Sequence, residues 1–416
     1  MYQVLLKTLA VVCLLLGGCV DSSEQVEILR VGTSGDYEPF SLRGEDGRLQ
    51  GFDIELARRF AADQDLKLEF VPFKWPELLS ELRSGEFDVA MSGITIREDR
   101  SLSAQFSIPT ATSGAVALLP KNSQLRSMEE INQPQIRVGV NQGGHLERVT
   151  RQHLSAASIV VSSENQALPA WLNEGRIDVL ITDTMEAPFW FERIEGARAL
   201  PPFTNDFKAV LVRADRSDLA HKFNAWLHQM ESSGQLGRLR DKWLPSKNDL
   251  QTADPIIALL VAMRERLSLM VAVAEAKRVL GRPVEDLEQE ARVLNAAVEG
   301  VNREAGRAGI APLNDEIIRS FFQAQMDAAK AIQHRTLEND PTMTNPPDLV
   351  DDLRPALGRI SARINGLIIM LGSAESKSQE ETRLLVRMYL SSLALGEPQL
   401  ALLEKSLIDL ILAFPN

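Results

Sequence analysis

The sequence predicts a two-lobed α/β module followed by an all-helical domain, and three observations predict it. Strand and helix signals alternate from residue 28 to residue 245, and the alternation restarts near residue 136. A polar stretch from Pro245 to Pro255 then marks a linker. Beyond it strand signals vanish, and helical stretches follow one another between prolines. A chain of 416 residues is also too long for one ordinary domain, so two or three are expected.

In the first half, Ile28 to Gly32 reads as a strand, Asp53 to Asp63 as a helix and Leu66 to Pro72 as a strand. Trp75 to Ser84 reads as a helix and Phe87 to Ser92 as a strand. The second round is Ile136 to Val140, Leu146 to Leu154, Ser158 to Ser162, Ala167 to Glu174 and Asp178 to Thr182. Two similar lobes follow from this, the second spanning about 120–210. Ala209 to Arg213 and Leu219 to Ser232 return the chain to the first lobe. Ligands of such folds sit at strand carboxyl ends, here in the cleft between lobes. After the linker at 246–254, helices are expected over 255–281, 286–308, 313–335, 348–371, 376–394 and 397–413, making 255–416 one domain.

Composition sets limits on function. Hydrophobic residues at 44% and charged residues at 25% describe a globular protein, and a net charge of -12 argues against nucleic acid as a partner. Any anion site must therefore be a local basic island. Five histidines scattered singly and the absence of a paired-cysteine pattern argue against a metal site, and no glycine-rich phosphate loop or Gly-x-Ser-x-Gly elbow is present. At the N-terminus Lys7 precedes an apolar run, Leu9 to Leu16, too short to span a bilayer as a helix. The run ends in Leu16-Gly17-Gly18-Cys19, which resembles the bacterial lipobox. The resemblance implies a signal peptide over 1–18, lipidation of Cys19, a tether to about residue 27, and a periplasmic protein anchored to a membrane, the outer one being expected from Val20 after the cysteine. Cys13 would be removed, so no disulfide is expected.

The first module carries Gly32-Thr-Ser-Gly-Asp-Tyr-Glu-Pro-Phe40, Gly51-Phe-Asp-Ile-Glu-Leu56, and Phe87-Asp-Val-Ala-Met-Ser-Gly-Ile-Thr-Ile96 leading to Arg100. These resemble the family-3 solute-binding proteins with a periplasmic-binding-protein fold. Within that family, Val71-Pro-Phe-Lys-Trp-Pro-Glu-Leu78, Val140-Asn-Gln-Gly-Gly144 and Thr182-Asp-Thr-Met-Glu-Ala187 look like the cyclohexadienyl dehydratases, which convert prephenate to phenylpyruvate or arogenate to phenylalanine. The resemblance makes Arg100 a carboxylate clamp, a task that suits a guanidinium fork, with Ser92 and Thr95 adding hydrogen bonds. It implies that Asp183 faces a ligand ammonium in the amino-acid binders. Glu186 is the discriminating residue: a dehydratase needs an acid to protonate the departing ring hydroxyl, and a desolvated carboxyl supplies one. Asp36, Trp75, Asn141 and Lys208 are expected to line the pocket, and His145 is read as peripheral.

In the helical half, Arg266 and Lys277 are eleven apart, about three turns at ~3.6 residues per turn, which puts both on one helix face. Asp286 and Glu290 are four apart after the break at Arg282-Pro283. With Gln333 and Arg363 they would form a pocket for a small dicarboxylate. Met263-Arg-Glu-Arg-Leu267, Ala274-Glu-Ala-Lys277, Pro283-Val-Glu-Asp-Leu-Glu-Gln-Glu-Ala291 and Phe322 to Gln333 resemble the exported, gamma-class chorismate mutases. That resemblance implies Arg266 and Arg363 on the substrate carboxylates, Lys277 and Gln333 at the ether oxygen, and Asp286 and Glu290 near the ring hydroxyl. Gln289 stands where many relatives carry arginine, so one carboxylate contact is missing or moved to Arg292. The rearrangement of chorismate is pericyclic and needs neither nucleophile nor cofactor, so none is expected.

Together the two readings form consecutive steps from chorismate, through prephenate, toward phenylpyruvate. The competing reading is an amino-acid binding or sensing module fused to a mutase; a helical interaction module in place of the mutase requires the six-residue constellation to be accidental.

Overall fold

A computed structural model describes residues 27–245, 254–374 and 377–414. The expected signal peptide, Cys19 and most of the expected linker lie outside these residues.

The first lobe is a five-stranded sheet in the spatial order Lys67–Pro72, Ile28–Thr33, Val89–Ala90, Leu211–Arg213, Ala104–Phe106. Ile28–Thr33 pairs in parallel with both of its neighbours, as the crossover through the helix Phe52–Asp63 requires. Leu211–Arg213 runs antiparallel between its neighbours and brings the returning chain into the sheet. The second lobe repeats the plan with Ser158–Ser162, Arg137–Asn141, Val179–Asp183, Ala115–Leu119 and Arg198–Ala199. It therefore starts before residue 120. A two-stranded ribbon, Ala111–Ser113 against Asp206–Lys208, joins the lobes where a boundary near 210 was expected.

The helical half contains Pro255–Ser268, Met270–Leu280, Leu287–Arg307, Asp315–Glu338, Arg354–Met370, Gln379–Leu390 and Glu397–Leu412. Their starts are chemically marked. Asp254 accepts from the Ile256 amide at 2.8 Å beside Pro255, Asn314 accepts from Glu316, and Ser378 and Glu381 form a reciprocal capping box. The stretch expected as one helix over 255–281 is interrupted at Leu269, so Arg266 and Lys277 do not share one unbroken helix.

The first lobe and the helical domain share one contiguous apolar core, which runs from Leu29 and Val31 through Ile256 and Leu260 to Leu407 and Leu410. The second-lobe sheet packs in two separate, smaller cores. Phe207, on the ribbon between lobes, lies 5.5 Å from the Tyr389 ring and beneath the Arg264 guanidinium at 5.3 Å. Shared apolar burial is the largest attractive term available, so it fixes the helical domain to the first lobe, while the second lobe keeps cores of its own. Among the described residues no helix is long and apolar enough to cross a membrane.

Candidate active sites

The cleft site is assembled from loops at strand ends. Asp183 closes the strand Val179–Asp183, and its Oδ1 accepts the amides of Met185 at 2.9 Å and Glu186 at 3.1 Å. This tight turn aims the Glu186 carboxyl into the interior, where it is fully buried. Asn165 Nδ2 donates to its Oε1 and the Thr182 hydroxyl meets its Oε2, each at 2.7 Å. Burial first, then the neighbouring Asp183 carboxylate, push the Glu186 pKa well above the usual carboxylate range, against the two hydrogen bonds. The shift favours the protonated, neutral form of Glu186, the form that can act as an acid.

Across the cleft, Lys208 Nζ donates to the Tyr37 hydroxyl at 2.9 Å and to Thr95 Oγ1 at 3.1 Å, and lies 3.1 Å from Asp183 Oδ2. The Tyr37 hydroxyl donates to that same carboxylate oxygen. Arg100 is buried, with Nη1 donating to the Thr95 carbonyl at 2.9 Å. Burial and the nearby Arg97 lower its pKa to about 9, which leaves it charged at neutral pH. Gly93 lies between: its amide donates to buried Asp53 at 2.6 Å, and its φ of +63° with the Tyr37 and Phe40 rings alongside leaves no room for a Cβ.

The cavity these groups enclose holds about 30 Å³, roughly one water molecule's share of volume. The lobes are closed, and a six-membered ring enters only when they part. Trp75, Thr95, Arg100, Asn141, Glu186 and Lys208 line it as expected from the sequence. Ser92 instead bonds the Ser34 hydroxyl at 2.8 Å, and Asp36 lies behind the wall, accepting from Trp75 Nε1 at 3.4 Å. His145, read as peripheral, lines the cavity and sits 3.0 Å from Asp206, with burial holding its pKa below the usual value. Tyr37 and Asn165 also line the cavity; Tyr37 lies within the stretch Gly32 to Phe40, whereas folding brings Asn165 there without a local sequence signal.

The helical domain gathers a second set. Lys277 is half-buried and donates to the Val284 carbonyl at 2.7 Å. Burial lowers its pKa while Asp286 and Glu290 counter it, and Arg354 adds to the lowering. Asp286 caps its helix by accepting from the Gln289 amide at 3.0 Å, and Glu290 is held by Lys330 at 3.2 Å. Arg266 is buried, and its Nε and Nη1 find no hydrogen-bond partner among the described residues. Burial alone lowers its pKa to about 10. Gln333 Nε2 reaches Met270 Sδ at 3.7 Å and the Ala329 carbonyl at 3.3 Å, while its Oε1 has no partner among the described residues. A desolvated guanidinium without a counter-charge costs several kcal/mol, so Arg266 is set up to receive an anion.

Two expectations are corrected here. The Arg363 side chain points to the other module: its guanidinium pairs with Glu265 and donates to the Phe106 carbonyl at 3.0 Å. The arginine of that helix felt by Lys277 is Arg354, nine residues upstream or ~13.5 Å along the axis at ~1.5 Å per residue. Arg292 does not replace a missing arginine at position 289, because it is bound to Glu288 and to Gln289 Oε1 at 3.1 Å on the surface. Among the described residues no group of three or more His, Cys, Asp or Glu is placed to hold a metal.

Comparison with known proteins follows this division. Residues 29–246 match the bacterial extracellular solute-binding proteins, family 3, and residues 257–334 match chorismate mutase type II. Cyclohexadienyl dehydratase of Pseudomonas aeruginosa is 33% identical over 255 residues, covering 58% of this chain and 95% of that protein. The L-cystine-binding protein TcyJ of Escherichia coli is 28% identical over 230 residues, covering 54% of this chain and 86% of that protein. Among solved structures, the ancestral amino acid-binding protein AncCDT-1, described as a precursor of cyclohexadienyl dehydratase, is similar with a TM-score of 0.50 and 32% identity, over 52% of this chain and 96% of that one.

Proposed function

The chain belongs to the bacterial extracellular solute-binding proteins, family 3, and from that premise we propose a bifunctional enzyme of aromatic biosynthesis. The helical domain rearranges chorismate to prephenate. The two-lobed module converts prephenate to phenylpyruvate, or arogenate to phenylalanine. The observation that carries the second assignment is Glu186, a buried carboxyl in the cleft wall whose pKa burial raises well above the usual carboxylate range. A receptor that only binds has no use for such an acid, and the similarity to a dehydratase supports the same reading.

In the dehydratase step the Glu186 proton goes to the ring hydroxyl, whose C–O bond breaks to release water. The C–C bond to the ring carboxylate breaks and releases carbon dioxide, and its electron pair completes the aromatic ring. Glu186 ends as the carboxylate and is reprotonated from solvent when the lobes open. Arg100 holds the side-chain carboxylate, while Trp75, Thr95 and Asn141 shape the wall. In the mutase step, a carbon–carbon bond forms as the ether C–O bond breaks, with no proton transferred. The enzyme's task is to hold a compact conformer and stabilise charge growing on the ether oxygen. Arg266 takes a carboxylate, Lys277 and Gln333 attend the ether oxygen, and Asp286 and Glu290 lie toward the ring hydroxyl.

Similarity to extracellular and periplasmic binding proteins supports a periplasmic location, and the lipobox-like Cys19 would tether the protein to the outer membrane. Labelled palmitate incorporated by the natural chain and not by Cys19→Ala tests the anchor. The activity is tested by giving the soluble chain after Cys19 chorismate alone and separating products over time. Phenylpyruvate is expected. Prephenate that accumulates without decay would reduce the first module to a binding lobe, and no conversion would remove the mutase.

A further inference from the structure

Glu265 belongs to the helical domain, one residue before Arg266, yet its carboxylate serves the other module. Its Oε1 accepts from the Ser101 hydroxyl at 2.6 Å, and Oε2 is paired with Arg363. The side chain is 2% exposed, so both contacts are dry and the charge-assisted ones are strong. The Ser101 proton has an alternative acceptor in the Arg97 carbonyl at 3.0 Å, longer and uncharged. Arg359 Nη2 donates to the Ser101 and Leu102 carbonyls at 3.0 and 3.1 Å, and Arg363 Nη1 donates to Phe106. Three side chains of one domain thus grip the turn Glu98–Ser101 and the strand after it. Arg100 stands on that turn. Its own lobe gives the guanidinium one hydrogen bond among the described residues, to Thr95.

We infer that Glu265, with Arg359, is a positioning residue for the dehydratase site: the mutase domain holds the Arg100 turn in register for the substrate carboxylate. The inference rests on Arg100 as the carboxylate clamp. A bidentate clamp tolerates little misplacement; Arg97 and Arg148 tie Glu98 and Asp99 at the start of the turn, and the helical domain holds its end at Ser101. The helical domain's grip falls on the first lobe, and opening of the second lobe breaks the Arg148 pairs with Glu98 and Asp99.

The test is made in the full chain, with prephenate and chorismate kinetics measured separately. Ser101→Ala and Arg359→Ala each raise the dehydratase KM for prephenate about five- to tenfold. Dehydratase kcat changes less than twofold, and mutase turnover is unchanged. Arg359→Lys, which can still donate to the two carbonyls, recovers most of the affinity. The double variant Ser101→Ala/Glu265→Ala is no worse in KM than Glu265→Ala alone, because the Ser101–Glu265 contact is already lost in that single variant. A merely structural role would lower both activities together, without that split in KM and kcat. Arg100→Ala separates the two layers of the argument. A raised KM in Arg100→Ala with unchanged KM in Ser101→Ala and Arg359→Ala overturns the positioning role and leaves the clamp standing. An unchanged KM in Arg100→Ala removes the clamp, and the inference with it.

Discussion

Lys208 Nζ lies 3.1 Å from Asp183 Oδ2, so the carboxylate that would meet a ligand ammonium already holds an ammonium of the protein's own. An α-amino acid would have to displace Lys208 and the Tyr37 hydroxyl from a buried pair, at the cost of leaving a charge unpartnered. A keto acid asks for no such exchange. Prephenate is therefore expected to be preferred over arogenate by at least ~10-fold in kcat/KM, a ratio within reach of one misplaced charge. Lys208→Met, which keeps length and removes the charge, moves that ratio toward arogenate. Initial rates on both substrates check it, and equal rates in the natural chain would refute the argument.

The buried acid predicts an opposition between activity and stability. Glu186 has a folded pKa raised above its unfolded value, so the folded chain holds a proton that the unfolded chain releases. Its contribution to stability is fully present below the unfolded pKa of ~4.3 and is lost as pH rises toward the folded value. Glu186→Gln removes that loss while keeping the size of the side chain. At pH 7 the melting midpoint of the first module is expected to rise by roughly 2–4 °C. Dehydratase kcat falls at least ~100-fold, and mutase turnover stays as it was. Calorimetry at pH 5 and pH 7, with both assays, checks the opposition; a midpoint that falls at pH 7 contradicts it.

Arg266 makes the same kind of prediction in the other domain. Its buried guanidinium, with two nitrogens lacking partners among the described residues, costs stability until an anion arrives. Arg266→Met should raise the thermal midpoint of the free protein and lower mutase kcat/KM by ~100-fold or more. A chorismate-like dianion that stabilises the natural chain against heat should have almost no effect on the variant. Equal ligand-induced shifts in the two proteins would show that Arg266 does not meet the ligand.

What the sequence made legible depended on whether a signal was local. The alternation of strands and helices located the parallel strands of both lobes, because each is bounded by turn residues, but it missed Ala104–Phe106, Ala111–Ser113, Ala115–Leu119 and Asp206–Lys208, where no helix separates one strand signal from the next. Glu186 and Arg100 were legible because short stretches around them resemble known families. Tyr37 stood in such a stretch without being singled out, and Asn165 had no local signal, since the fold alone brings it to the cavity. In the second domain, 3.6-residue spacing across 255–281 could not register the one-residue break at Leu269, which divides the expected helix in two. The turn away at Arg363 was equally hidden. It depends on Glu265 and Phe106, and Phe106 belongs to the other module.

Arg354 and Arg363 lie on one helix and are expected to divide between the two activities. Arg354 is the one within electrostatic reach of Lys277, whereas Arg363 binds Glu265 and the Phe106 carbonyl. Removing Arg354 takes a cation from the neighbourhood of the proposed chorismate site, so Arg354→Ala should lower mutase kcat/KM by about tenfold with the dehydratase unaffected. Removing Arg363 leaves the buried Glu265 carboxylate with Ser101 as its remaining hydrogen-bond partner among the described residues. Such a charge costs ~3–5 kcal/mol when its partner goes, so Arg363→Ala should loosen the junction between the modules. Its thermal midpoint falls and its dehydratase KM rises, while chorismate turnover stays within about threefold of the natural chain. Parallel assays of the two variants decide the matter: a mutase lost in Arg363→Ala and retained in Arg354→Ala would return Arg363 to the chorismate carboxylate.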